Sequence, residues 1–246
     1  MNARRSSTAK QNKIAPVSAG CYRFFVTPSA APDALTINEV FYSIQGESSF
    51  AGRPCVFVRL TGCDLRCTYC DTEYAFYEVK KRLVPDLVKE VAAYRCPLVE
   101  ITGGEPLLQK KVHGLMTHLC DAGHTVLIET GGAHDIGGID PRVHRIMDLK
   151  CPSSGESGRN RVENLALLGP RDEVKFVIGT EEDYLWAKRQ VQEGEWARRV
   201  NTVIFSPVFG KMELLDMAQW ILRDHLPVRM QVQLHKLIWE PNTRGV

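Results

Sequence analysis

Gly62-Cys63-Asp64-Leu65-Arg66-Cys67-Thr68-Tyr69-Cys70-Asp71-Thr72 places three thiols within eight residues, with three and then two residues between them. That spacing lets one loop wrap a single metal centre. Electron-carrying ferredoxins close a cubane cluster with a fourth cysteine, so three thiolates leave one iron open to a substrate or cofactor. A zinc knot also uses close cysteines, but as two pairs or with histidines that complete four ligands. No second pair and no nearby histidine accompany this loop, and a fourth ligand would have to come from as far away as Cys151.

Outward from the loop, the apolar run 55–60 predicts a strand leading into it, and Leu35, Ile37, Val40 and Phe41 predict an earlier strand that ends at Gln45-Gly46. On the other side the pattern alternates. Residues 84–94 have helical spacing (Val84, Leu87, Val88, Val91), 98–101 read as a strand, and 106–121 as an amphipathic helix. Short buried strands are expected over 125–129, 146–149, 174–178 and 203–205. Helices are expected over 181–193, opened by Thr180, and over 212–225, before a closing strand at 228–233. Strands alternating with helices imply an α/β fold of right-handed parallel units, whose ligands sit at the C-terminal ends of the strands. Periodicity does not separate a barrel from an open sheet.

Three further segments fall at such ends. In Thr102-Gly103-Gly104-Glu105-Pro106 the glycines permit close backbone approach and Glu105 supplies an anionic acceptor, although taken alone this is an ordinary turn. The segment 148–156 sets Asp148 and Lys150 beside a Pro/Ser/Gly turn; both charges are costly to bury unpaired, so they read either as a solvated strand end or as contacts to a polar ligand. Ser206-Pro207-Val208-Phe209 is a plain turn or a wall for an aromatic ring.

Composition narrows the class. A chain of 246 residues, 44% hydrophobic and 24% charged, is expected to fold as a single catalytic domain over 34–246. Residues 1–33, rich in Ser, Ala, Pro, Lys and Arg without a sustained period, are expected to be a flexible N-terminal extension. No apolar run approaches the ~20 residues of a membrane span, and residues 1–18 lack the apolar core of a secretion signal, which points to the cytoplasm. A net charge of +2 calls for neither nucleic acid nor membrane, and favours a small substrate. Of the eight cysteines, Cys21, Cys55, Cys96, Cys120 and Cys151 read as small hydrophobes.

The order Cys-x3-Cys-x2-Cys with aromatic Tyr69 before the last thiol, followed by Thr102 to Pro106, resembles the radical S-adenosylmethionine superfamily. Together with Phe41-Tyr42-Ser43-Ile44-Gln45-Gly46-Glu47, Ala51-Gly52-Arg53-Pro54, Arg59, Glu129-Thr130-Gly131-Gly132, the segment 148–156 and Gln233-Leu234-His235-Lys236, it resembles the 7-carboxy-7-deazaguanine synthase family from about Ile37 to the C-terminus. The resemblance implies a modified, partial (β/α) barrel of the radical S-adenosylmethionine type, working as a homodimer with a reductant such as flavodoxin or ferredoxin. It implies a lyase that contracts 6-carboxy-5,6,7,8-tetrahydropterin to 7-carboxy-7-deazaguanine with loss of ammonia, on the route to queuosine. Reductive cleavage of S-adenosylmethionine would give methionine and a 5′-deoxyadenosyl radical, which takes hydrogen from C6 of the pterin.

By the same resemblance Cys63, Cys67 and Cys70 hold a [4Fe-4S] cluster and Thr72 is a Mg2+ ligand. Tyr69, Cys70, Asp71, Gly104, Glu105, Asp148, Leu149, Lys150, Ser206, Pro207, Val208 and Phe209 approach S-adenosylmethionine. Ile44, Gln45, Gly46, Arg59 and Thr102 meet the pterin. The chemistry is apt: a guanidinium holds a carboxylate in a bidentate fork, and a hydroxyl is a hard donor suited to Mg2+. Residues 1–33 have no counterpart in the resemblance, and residues 239–246 are given no role. The rival readings are a glycyl-radical-activating enzyme, which shares the cysteine loop but acts on a protein, and a small iron-sulfur electron carrier.

Overall fold

The computed structural model describes residues 33–246; apart from Asp33, the expected extension lies outside them. Strand β1 (Ala34–Ile44) and β2 (Pro54–Leu60) form an antiparallel pair, Ile37 opposite Leu60 and Ile44 opposite Pro54. Strand β3 (Lys80–Leu83) pairs antiparallel with the other side of β1. From β2 onward all neighbours are parallel: β4 (Leu98–Gly103), β5 (Thr125–Thr130), β6 (His144–Asp148), β7 (Glu173–Ile178), β8 (Thr202–Pro207) and β9 (Arg229–Met230). The described residues thus form one sheet of order β3-β1-β2-β4-β5-β6-β7-β8-β9.

Helices α1 (Val84–Ala93), α2 (Val112–Asp121), α3 (Glu181–Glu193) and α4 (Leu214–Arg223) follow strands of this sheet. The stripe Val112, Leu115, Met116 and Leu119 of α2 is fully buried, the spacing expected of a helix with one face on a sheet. Strands β4 and β5 read as nearly continuous apolar runs because both of their faces are covered. Among the described residues no helix is long and apolar enough to cross a membrane.

Several expectations are corrected. The helix expected over 106–121 is split: a 3-10 turn covers Pro106–Leu108 and α2 starts only at Val112. Between them the Gln109 amide is drawn sideways, donating to Thr36 O and Thr61 O and accepting from Thr36 N, so its side chain sews the segment to β1. The expected helix over 212–225 is shortened to α4. The closing strand is cut to β9, because Gln231 turns its amide to Ser48 O and Leu234 N bonds Gly46 O. Strand β3, Lys-Lys-Arg-Leu, has no apolar alternation to announce it; lysines on an outer strand protect an open edge. Between β6 and β7 the crossover carries 3-10 turns at Pro152–Ser154, Ser157–Arg159 and Val162–Leu167 in place of an α-helix.

The sheet curls without closing by strand pairing. The β1–β2 turn reaches across to β7: Ser49 N donates to the Glu173 carboxylate at 3.0 Å and Lys175 pairs with Glu47 at 2.8 Å. With the segment after β9 bonded to the same turn, a partial barrel results, its gap filled by residues 45–49 and 231–236.

Candidate functional site

Strand ends β2, β4, β5, β6, β7 and β8 open into one cavity of about 1480 Å³, counting the part open to solvent. Every candidate residue from the sequence lines it except Leu149, whose side chain is 2% exposed and sits in the core; only the Leu149 backbone remains for a ligand. Ile44 to Glu47 enter from the opposite end of β2, where that strand begins, and so depart from the rule that ligands meet the C-terminal strand ends.

The cysteine loop is held on several sides. Gly62 N donates to Ala75 O, Glu105 N to Gly62 O, Thr68 N to Ser154 O and the Thr68 hydroxyl to Ser153 O. Arg159 and His134 both pair with Asp64. Cys63, Cys67 and Cys70 are unpaired by disulfides and half-buried, and burial pushes all three thiols up, so binding a metal here would displace their protons. Among the described residues no three His, Cys, Asp or Glu side chains converge as one metal ion would require. A cubane asks for no such convergence, because each thiolate binds a different iron.

Beside the thiols, Gly104 packs so tightly that a Cβ there would lie 2.2 Å from Gly62 O and 2.7 Å from Cys63 Cβ. The Glu105 carboxylate is spent within the chain, accepting from Leu107 N, Gly131 N and the Thr130 hydroxyl; it fixes the Gly103-Gly104 turn rather than offering a free anion. Lys150 pairs with Asp148 at 2.8 Å, and that carboxylate outweighs the burial that works against the Lys150 charge. Asp148 Oδ1 and the Tyr69 hydroxyl are buried without partners among the described residues. Such orphans are rare in folded proteins and mark places where a ligand donor or acceptor fits. Phe209 and Lys236 face each other, and Lys236 pairs with Asp71, whose other oxygen takes the Thr72 hydroxyl.

Deeper in the cavity, Arg59 gives its Nε to Glu39 at 2.8 Å and lies against the Phe41 and Tyr74 rings. Thr102 donates to Glu129 at 3.2 Å. Sequence reading gave no role to a set of charges here: Glu47 and Lys175 at 2.8 Å, Glu129 3.7 Å from Lys175, and Glu100 on β4. The signal was present as single charges inside apolar runs, Glu100 within 98–101 and Lys175 within 174–178. At Gly46 a Cβ would meet His235 Nδ1 at 2.3 Å, so the turn needs glycine for the C-terminal segment to close over it.

Comparison with known proteins bears on this arrangement. The signature of the radical S-adenosylmethionine superfamily matches residues 57–184. A 7-carboxy-7-deazaguanine synthase of Chlorobaculum tepidum is 52% identical over 215 residues, covering 86% of this chain and 97% of that protein. One of Koribacter versatilis is 44% identical, covering 86% and 100%. The crystal structure of QueE from Escherichia coli superposes with a TM-score of 0.64 at 21% identity, over 82% of this chain and 95% of that one, a likeness of fold.

Proposed function

The chain belongs to the 7-carboxy-7-deazaguanine synthases of the radical S-adenosylmethionine superfamily, and from that membership we infer that it is the lyase converting 6-carboxy-5,6,7,8-tetrahydropterin to 7-carboxy-7-deazaguanine with loss of ammonia. The observation that carries the reading is the convergence of three free thiols, the Arg59 fork and a set of buried carboxylates on one cavity. Cys63, Cys67 and Cys70 would hold the [4Fe-4S] cluster; with S-adenosylmethionine bound, that pair supplies hydrogen-atom abstraction at the pterin C6.

The chain's own residues bind, orient and exclude water. Tyr69, Cys70, Asp71, Gly104, Asp148, the Leu149 backbone, Lys150 and Ser206 to Phe209 wall the S-adenosylmethionine side. The unpartnered Asp148 Oδ1 and Tyr69 hydroxyl await its polar groups. Glu105 acts at one remove, through the turn it anchors. Thr72 offers a hydroxyl to Mg2+ beside Asp71. Arg59, its Nε taken by Glu39, turns its remaining nitrogens to the substrate carboxylate, while Ile44, Gln45, Gly46 and Thr102 border the ring. The reading includes a cytoplasmic homodimer reduced by flavodoxin or ferredoxin; Leu215 and Leu222, exposed seven residues apart on α4, offer a partner copy an apolar stripe.

Anaerobic incubation of the reconstituted protein with the carboxytetrahydropterin, reductant and S-adenosylmethionine, followed by mass analysis, is expected to yield 7-carboxy-7-deazaguanine. Cys63→Ala, Cys67→Ala and Cys70→Ala should lose iron and product, and Cys120→Ala neither. Cleavage of S-adenosylmethionine without this product would point to another radical reaction.

A further inference from the structure

Three carboxylates and one lysine share the deep part of the cavity, and the numbers do not balance. Lys175 is spent on Glu47 and Glu129. Glu100 sits on β4 between Phe57 of β2 and Leu127 of β5, 2% exposed, with no lysine or arginine among the described residues paired to it. Among the described residues its carboxyl takes one hydrogen bond, from the Gln45 amide nitrogen to Oε2. Gln45 is itself 2% exposed and takes the Glu47 N–H on its carbonyl at 3.0 Å. Glu100 borders the cavity, and its second oxygen, Oε1, has no partner among the described residues.

An anionic carboxylate without a cation is expensive to bury, and the usual outcome is that the group keeps its proton. Every neighbour pushes the same way or is otherwise engaged. Burial raises Glu100 well above the ordinary carboxyl range, Glu129 from β5 and Glu47 from the β1–β2 turn add to it, and Lys175 from β7 and Arg59 from β2 oppose it too weakly. Burial without a paired cation thus favours the protonated form of Glu100, which gives up its proton at higher pH than an ordinary carboxyl.

We propose that Glu100 is a specificity-determining residue that meets the substrate as a neutral carboxylic acid, accepting the Gln45 amide on one oxygen and donating an O–H from the other to an acceptor on the ligand's heterocycle, such as a lactam carbonyl. The proposal rests on the pterin-type substrate inferred above. It separates Glu100 from Glu47, which Lys175 holds as an anion. It also gives Gln45 a definite orientation, since its nitrogen faces β4 and its carbonyl faces the turn.

Glutamine has the shape of a neutral glutamic acid, accepting on one side and donating on the other, so Glu100→Gln and Glu100→Ala test the idea together. In the reconstituted holoenzyme both should keep iron content and S-adenosylmethionine affinity, which reports on folding. With the carboxytetrahydropterin at pH 7, Glu100→Gln should hold KM within about threefold of the unsubstituted enzyme, whereas Glu100→Ala should raise it about tenfold or more, with kcat changed less. In the unsubstituted enzyme KM should climb at alkaline pH as Glu100 loses its proton, and that limb should be missing in Glu100→Gln.

Equal damage from Gln and Ala would overturn the proposal by showing that the ionised form binds. A normal KM in Glu100→Ala would show that no contact exists. If Glu100→Ala fails to fold, an alkaline limb that persists in Glu100→Gln overturns it independently. No turnover by the unsubstituted enzyme would count against the substrate assignment, not against the state of Glu100.

Discussion

Arg59 shows how a single side chain is made ready. Glu39 takes Nε, the Phe41 and Tyr74 rings pack along the guanidinium, and Tyr74 donates its hydroxyl to the same Glu39 oxygen. What remains is a rigid pair of terminal nitrogens at the cavity wall. A flexible ammonium would not inherit this setting, because it has neither a fork nor a plane to stack. Arg59→Met should therefore keep the cluster and S-adenosylmethionine binding but lose roughly 1.5–3 kcal/mol of substrate binding, about ten- to a hundredfold in KM or kcat/KM. Arg59→Lys should recover only part. Iron content, S-adenosylmethionine affinity and product formation on the two variants check this; normal product formation by Arg59→Met would remove the carboxylate contact.

At the scale of one element, α3 shows how a helix terminus supports a distant loop. Thr180 caps Asp183 N at 3.2 Å and Asp183 returns the bond to Thr180 N, a complete capping box. Asp183 does more: it is fully buried and also takes Gly179 N and Ser153 N, and Ser153 O in turn receives the Thr68 hydroxyl of the cysteine loop. Thr180→Ala should thus cost about 1 kcal/mol of stability with iron loading unchanged. Asp183→Ala, which leaves several buried donors unpaired, should cost more and should also weaken cluster loading. Thermal unfolding and iron analysis after reconstitution distinguish the two; equal effects on loading would mean that the path through Ser153 does not matter.

On the scale of the molecule, the partial barrel depends on polar contacts across its gap. Lys175 joins β7 to Glu47 in the β1–β2 turn and approaches Glu129; burial works against its charge, and these carboxylates outweigh it and keep the ammonium. Breaking such a buried group from one side leaves uncompensated charge, which costs roughly 3–5 kcal/mol. Lys175→Met is expected to lower the melting temperature strongly and to impair the pterin side of the cavity. Adding Glu47→Gln should restore part of the stability, because the unpaired carboxylate is then gone. A double variant no more stable than Lys175→Met would show that the pair does not hold the turn.

The cysteine spacing, the glycines of 103–104 and the alternation of apolar strands with amphipathic helices are local properties, and they made the metal chemistry, the α/β class and the boundaries of α3 legible in the sequence. The order of motifs located the cavity's walls, apart from Leu149, whose neighbours Asp148 and Lys150 line the cavity while its own side chain alternates into the core. Other features depended on partners far away along the chain. Gln109 broke a helix by bonding β1, β9 ended early because residues 231–234 were drawn to the turn at 46–48, and β3 formed at an edge that charged residues suit. The charge states of Glu47, Glu100 and Lys175 belong to the same class. Each is an ordinary charged residue in the sequence, and only the curl of the sheet, which shuts out water and sets three carboxylates around one lysine, decides which of them keeps its proton.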